Sequence, residues 1–160
     1  MNATGATATV VEPATTSVPD VVLRPTLAAS AAVFRGPLVL LARRVNGPGA
    51  GLWSLPGGRV EAGETLATAA ARELMEEVGV DAHMVAVAGV RDVILQDAAG
   101  RLEAHFVVIA YAARWQAGEP RTGPEAAEVG WFRPQEVAGL ATTEGLAEVV
   151  SAAAAIMAQP

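Results

Sequence analysis

Between Pro56 and Val80 the chain reads PGGRVEAGETLATAAARELMEEVGV, and this stretch constrains the fold more than any other. Two glycines and a polar loop open it. From Thr65 to Val78 the residues are good helix formers, and Gly79 stands where a helix commonly ends in a left-handed cap. At about 100° per residue, Glu77 lies roughly 40° to one side of Glu73 and Glu76 roughly 60° to the other. Three carboxylates therefore share one narrow arc, with Arg72 at its border. Like charges three and four residues apart on a helix destabilise it by roughly 0.2–0.5 kcal/mol per pair, so the crowding calls for compensation, and a bound cation is the leading candidate. Ala67, Ala71, Leu74 and Val78 gather on the neighbouring face, which suits packing against a sheet. Ala69 and Ala70 lie one turn before the carboxylates, and their small size leaves room for the preceding loop.

The flanking sequence supplies that sheet. LAASAAVF (27–34) and PLVLLARR (37–44) read as strands joined by a tight turn at Arg35-Gly36,. MVAVAGVRDVIL (84–95) and LEAHFVVIAYAARW (102–115) read as two more, separated by QDAAG, and VGWF (129–132) as a short one,. QAGEPRTGPEAAE (116–128) reads as a loop. Near the C-terminus Leu146, Val149, Val150, Ala153 and Ile156 recur at helical spacing, with Thr142 or Thr143 as the expected N-cap. Strands with interspersed helices but few strand–helix–strand repeats predict an α/β fold of the α+β kind, with a mixed β-sheet packed between helices. Residues 23–160 are expected to form one domain, preceded by a flexible tail over residues 1–22.

Composition narrows the chemistry. There is no cysteine among the 160 residues, which removes thiol nucleophiles, disulfides and zinc–thiolate centres. All 11 basic residues are arginine, so Schiff-base catalysis and the lysine of a GxxxxGK[ST] phosphate loop are also excluded. A net charge of −6 without an arginine-rich stripe argues against nucleic acid as a partner. No apolar run approaches the roughly 20 residues that cross a bilayer, and the first residues do not pattern as a secretory signal. The expected location is the cytoplasm, with no membrane partner.

Gly58, five residues, Glu64, seven residues, Arg72-Glu73, Leu74, one residue, Glu76-Glu77, one residue, Gly79 and aliphatic Val80 together resemble the Nudix box without a departure. The WxLPGG approach (Trp53, Leu55, Pro56, Gly57, Gly58), the preceding hairpin and the helix after the WF strand extend the resemblance to the Nudix hydrolase family over residues 25 to about 158. It implies a Nudix-type α/β/α sandwich. It also implies Mg²⁺- or Mn²⁺-dependent hydrolysis of the diphosphate bond in a nucleoside diphosphate linked to another group. The oxidised nucleoside triphosphates and ADP-ribose are two such substrate branches. The ADP-ribose branch often carries a proline shortly after the box, and residues 81–98 have none. A homodimer is compatible with the resemblance. The alternative is a Nudix-like sensor that binds a nucleotide without cleaving it; retention of every box residue argues against that.

The resemblance also implies roles. Glu73 and Glu77 are expected metal ligands, with Glu76 a third ligand or the acceptor of a proton from the attacking water. Arg72 is expected to bond Glu76 or a loop carbonyl and lock the array. Gly57 and Gly58 permit a backbone conformation or a close approach, Glu64 meets the helix start, and Gly79 is a cap. A further acid from outside the box is expected at Glu125, ahead of Glu128 and Glu119. Arg43, Arg44 and Arg59 are candidate substrate cations. Trp53 reads as core, His105 as a structural histidine and His83 as surface.

Overall fold

The computed structural model describes residues 22–160; the N-terminal tail expected over residues 1–22 lies, but for Val22, outside the described residues. Seven strands and three helical segments follow in chain order. Strands β1 (Thr26–Arg35) and β2 (Leu38–Arg44) form the expected hairpin, and β3 (Trp53–Ser54) and β4 (Gly57–Arg59) lead into helix α1 (Leu66–Val78). The long pair β5 (Asp81–Gln96) and β6 (Leu102–Ala117), then β7 (Ala126–Phe132), a 3₁₀ turn (Pro134–Gly139) and helix α2 (Leu146–Met157) complete the chain.

The sheet order is β3-β2-β1-β6-β5, with β4 paired to β1 and β7 to β2. β1 and β6 run parallel from Thr26 opposite Phe106 to Phe34 opposite Arg114, while the other pairings are antiparallel. The mixed sheet is therefore as expected. β1 pairs with β2 only at the hairpin mouth, Phe34 with Val39 and Arg35 with Leu38. Farther along, β1 turns to β4 through Ala28–Ser30 and β2 turns to β7 and β3. The sheet thus splays, and the Gly57–Arg59 strand and α1 occupy the split.

Alternation along β1 and β2 sends side chains into two cores. Ala31, Val33, Leu40 and Ala42 pack with Leu74 and Val78 of α1. Ala32, Phe34, Val39 and Leu41 pack with Leu146, Val150 and Ala153 of α2. Because both faces are covered, these strands read as nearly continuous apolar runs. Fully burying Leu74 or Val78 contributes about 1.5–3 kcal/mol each, which holds the carboxylate-bearing helix firmly to the sheet.

Several local expectations shift. Thr65 caps α1 by accepting the Thr68 N–H at 3.1 Å, and Gly79 closes it at φ 72°. The buried alanines of α1 are Ala69 and Ala70, packed on Ala29, rather than Ala67 and Ala71; the close fit to β1 selects the smallest face. Helix α2 starts from Gly145 at φ 73° with no side-chain cap, not from Thr142 or Thr143. Those threonines are committed elsewhere: Thr142 bridges to Trp53, and the Thr143 N–H donates to the Trp53 carbonyl at 3.0 Å. β7 begins three residues before the expected VGWF because Glu128 pairs in register with Arg43. No helix among the described residues is long and apolar enough to cross a membrane.

Candidate active site

Arg72 organises the acidic arc. Its Nε donates to Glu64 Oε1 at 2.7 Å and its Nη2 to Glu64 Oε2 at 3.0 Å, a two-pronged bond to a residue outside the helix. Nη1 donates to Glu73 Oε1 at 2.9 Å and Glu76 Oε2 at 3.2 Å, and Nη2 also to the Arg59 carbonyl at 3.0 Å. The expected contact to Glu76 is present, and the carbonyl that Arg72 reaches is that of Arg59 at the end of strand β4 rather than one in a loop. Glu64 as the principal partner was not legible in the sequence, since it lies before the helix and outside any helical spacing. The Arg72 bond, with the Glu61 N–H second, holds the Glu64 carboxyl down at about 2.

The glycines bring strand β4 against this arc. A Cβ on Gly58 would lie 2.4–2.6 Å from the Glu73 carboxylate, and one on Gly57 2.5–2.6 Å from Ala29 O and from Ser30. Neither glycine has a positive φ, so the requirement is close approach, not backbone conformation. The Gly57 N–H donates to Glu77 Oε2 at 3.1 Å.

Glu77 is perturbed in the opposite direction to Glu64. Burial pushes its pKa up to about 7; the Gly57 N–H and the Arg44 charge oppose the rise, while the carboxylates of Glu125 and Glu73 add to it. Glu125 reaches Glu77 because its loop is tied down. The Val45 N–H donates to the Glu125 carbonyl at 3.1 Å, and Asn46 Nδ2 donates to the Pro124 carbonyl at 3.5 Å. A cleft of about 140 Å³ opens between Glu76, Glu77, Pro124 and Glu125. A larger groove of about 450 Å³ between β5 and α2 contains none of these carboxylates.

The remaining candidates separate. Arg44 acts on Glu77 through its charge and donates from Nε to the Pro48 carbonyl at 3.0 Å. Arg43 Nε lies 2.7 Å from Glu128, and Glu119 lies 2.7 Å from Arg35, so these side chains are engaged with one another. The Arg59 guanidinium sits 5.7 Å over the Phe106 ring. Trp53 packs edge-on to Phe132 at 5.0 Å in the α2 core. His105 pairs with Asp92 at 2.8 Å, and His83 is exposed.

Among the described residues, no three acidic or histidine side chains converge on a single point. Arg72 binds Glu73 and Glu76, while the Gly57 amide holds Glu77. The donor set nonetheless suits a hard divalent cation. Glu73, Glu76, Glu77 and Glu125 offer only carboxylate oxygen, without thiolate or imidazole. Glu77, with two further carboxylates around it and Arg44 as the opposing charge, is a place where a cation relieves repulsion.

The NUDIX domain family matches residues 24–153, and the chain belongs to that family. It is 46% identical over 91 residues to a Mycobacterium tuberculosis protein whose assignment as 8-oxo-dGTP diphosphatase 2 is provisional; the match covers 56% of this chain and 61% of that protein. It is 33% identical over 110 residues to an ADP-ribose pyrophosphatase of Methanocaldococcus jannaschii, covering 69% of this chain and 63% of that protein. Both matches thus span somewhat less than two thirds of the relative. The crystal structure of a MutT NUDIX hydrolase from Burkholderia pseudomallei superposes with a TM-score of 0.66 at 30% identity, covering 80% of this chain and 97% of that one.

Proposed function

We propose that residues 23–160 act as one divalent-metal-dependent pyrophosphohydrolase, cleaving the diphosphate bond of a nucleoside diphosphate linked to another group. The observation that carries this reading is the apposition of the Arg72-locked arc to Glu125 around half-buried Glu77. Glu73, Glu77 and Glu125 would hold Mg²⁺ or Mn²⁺. Such a cation, when bound, neutralises phosphate charge and orients oxygen ligands.

The chain's own residues then have separable tasks. Arg72 and the Gly57 amide set the positions of Glu73 and Glu77. Glu76, the most open member with a side chain 61% exposed, accepts the proton of the attacking water as the new phosphorus–oxygen bond forms and the bridging bond breaks. Arg44 meets the phosphate left behind by the cleavage, while Arg43 and Arg59 bind elsewhere on the substrate only after leaving Glu128 and Phe106.

Within this class we favour oxidised nucleoside triphosphates over ADP-ribose. The higher identity to the M. tuberculosis protein supports that branch, as does the lack of proline over residues 81–98. The test is product analysis across 8-oxo-dGTP, dCTP, ADP-ribose, diadenosine polyphosphates and nucleotide sugars with Mg²⁺, with chelator as control. Expected are monophosphate and pyrophosphate from 8-oxo-dGTP. Preferential cleavage of ADP-ribose would overturn the branch, and turnover that survives chelation would overturn the metal dependence.

A further inference from the structure

The connection from β6 to β7, residues 118–125, crosses the C-terminal end of α1 before Glu125 enters the cleft beside Glu77. Its path tracks the last residues of that helix. A Cβ on Gly118 would run into the Gly79 carbonyl oxygen and lie 3.3 Å from Val80 Cα. The Arg121 N–H donates to the Val78 carbonyl at 2.9 Å, one of the carbonyls that a helix end leaves without an internal partner. The Arg121 guanidinium lies where a Gly79 side chain would stand, a cation at the negative end of the helix. A Cβ on Gly123 would lie 3.7 Å from the Glu77 carbonyl oxygen.

The start of this connection is gripped from the other side. Trp115 Nε1 donates to the Gly118 carbonyl at 2.9 Å, and Arg35 Nη1 donates to Glu119 at 2.7 Å. The Arg35 guanidinium also stands over two rings, Trp131 at 4.3 Å and Trp115 at 5.2 Å. Trp115 lies on β6 and Trp131 on β7. One side chain thus joins the strand that leads in, the strand that leads out and the connection between them. An ion pair as open as Arg35–Glu119 contributes little alone; the two rings supply the grip by holding the guanidinium in place. Glu125 is therefore suspended between two anchors, this one and the Val45–Asn46 bonds at its own end.

We propose that residues 118–125 form a strap, tied at both ends, that sets the spacing of Glu125 from Glu77, with Gly118 and Arg35 as positioning residues for the cation site. This role rests on the reading of Glu77 and Glu125 as ligands of one divalent ion. Gly118→Ala drives a methyl into the Gly79 carbonyl, which is backbone and cannot yield, at a φ of 87° that alanine resists,. The strap must lift by about 1 Å to reach ordinary contact, and Glu125 shifts with it.

The test is Mn²⁺ binding by the full chain without nucleotide, read by electron paramagnetic resonance, with amide exchange at Arg121 reporting strap contact. Gly118→Ala should speed exchange of the Arg121 N–H and weaken Mn²⁺ binding by about 10–100-fold, the usual cost of disturbing groups behind a ligand. Arg35→Ala should act in the same direction by a smaller factor, and it decides the matter if Gly118→Ala does not fold. Arg35→Lys keeps a cation for the rings and for Glu119 and should recover most of that loss. In a Glu125→Ala background neither substitution should weaken Mn²⁺ binding further, because the group they position is gone. Wild-type Mn²⁺ affinity in the folded variants overturns the proposal. So does an undiminished loss in the Glu125→Ala background, which marks a general effect on stability. A wild-type chain that binds no Mn²⁺ refutes the metal-dependent function itself, and the strap's role falls with it.

Discussion

The two adjacent glycines allow positioning to be separated from folding. In Gly58→Ala the new methyl meets the Glu73 carboxylate at 2.4–2.6 Å, so that side-chain end must retreat by about 1 Å to reach ordinary contact. The retreating group is the tip of a flexible chain, and its one bond in the array is to Arg72 Nη1. Stability should therefore fall by less than the roughly 1.5–3 kcal/mol that a hydrogen bond between charged groups is worth. Activity should fall in the molecules that remain folded: a misplacement of about 1 Å in a catalytic array costs on the order of 100-fold, or about 2.7 kcal/mol of barrier. In Gly57→Ala the methyl meets Ala29 O and Ser30 Cα, which are backbone, and overpacking of that kind costs about 1–3 kcal/mol of stability. The assay pairs initial rates of pyrophosphate release with chemical denaturation of both variants. If Gly58→Ala keeps wild-type kcat/KM while remaining folded, the position of Glu73 does not govern the reaction and the reading of the arc fails.

Four further outcomes follow from the same contacts. Arg72→Lys cannot reproduce the two-pronged bond to Glu64 together with the bonds to Glu73 and Glu76; apparent Mg²⁺ affinity, measured by titrating activity, should weaken by about 10–100-fold. Glu77→Gln should lower turnover by about 10³-fold or more if that carboxylate holds an essential ion, and a near-normal rate removes the assignment. Glu77 also makes metal-free stability depend on pH. Its native pKa of about 7 lies above the ordinary 4.5, so its contribution is fully present below about pH 4.5 and is lost as pH rises through 7. The loss is at most about 3 kcal/mol. Thermal unfolding of the metal-free protein from pH 5 to 8 should show that decline in wild type and not in Glu77→Gln, with Mg²⁺ restoring wild type at pH 8. Glu125→Gln removes one of the charges that raise Glu77, so it should shift the midpoint of the decline to lower pH; an unmoved midpoint would separate Glu125 from the cleft.

Much of this protein was decided locally and so could be read from the chain itself. The helix over α1 follows from a run of good helix formers stopped by Gly79, and the mixed sheet follows from strands with interspersed helices but few strand–helix–strand repeats. Carboxylates three and four residues apart must share an arc whatever the tertiary fold, because helical geometry alone puts them there. The tertiary structure decided what lies outside any such period. Glu64 became the main partner of Arg72, Glu125 was brought to Glu77 by hydrogen bonds from the Val45–Asn46 segment, and Arg43 and Glu119 were drawn into ion pairs with Glu128 and Arg35. Those contacts join residues from 8 to 85 positions apart, and only the packing of α1 and the loops onto the splayed sheet fixes distances across such separations.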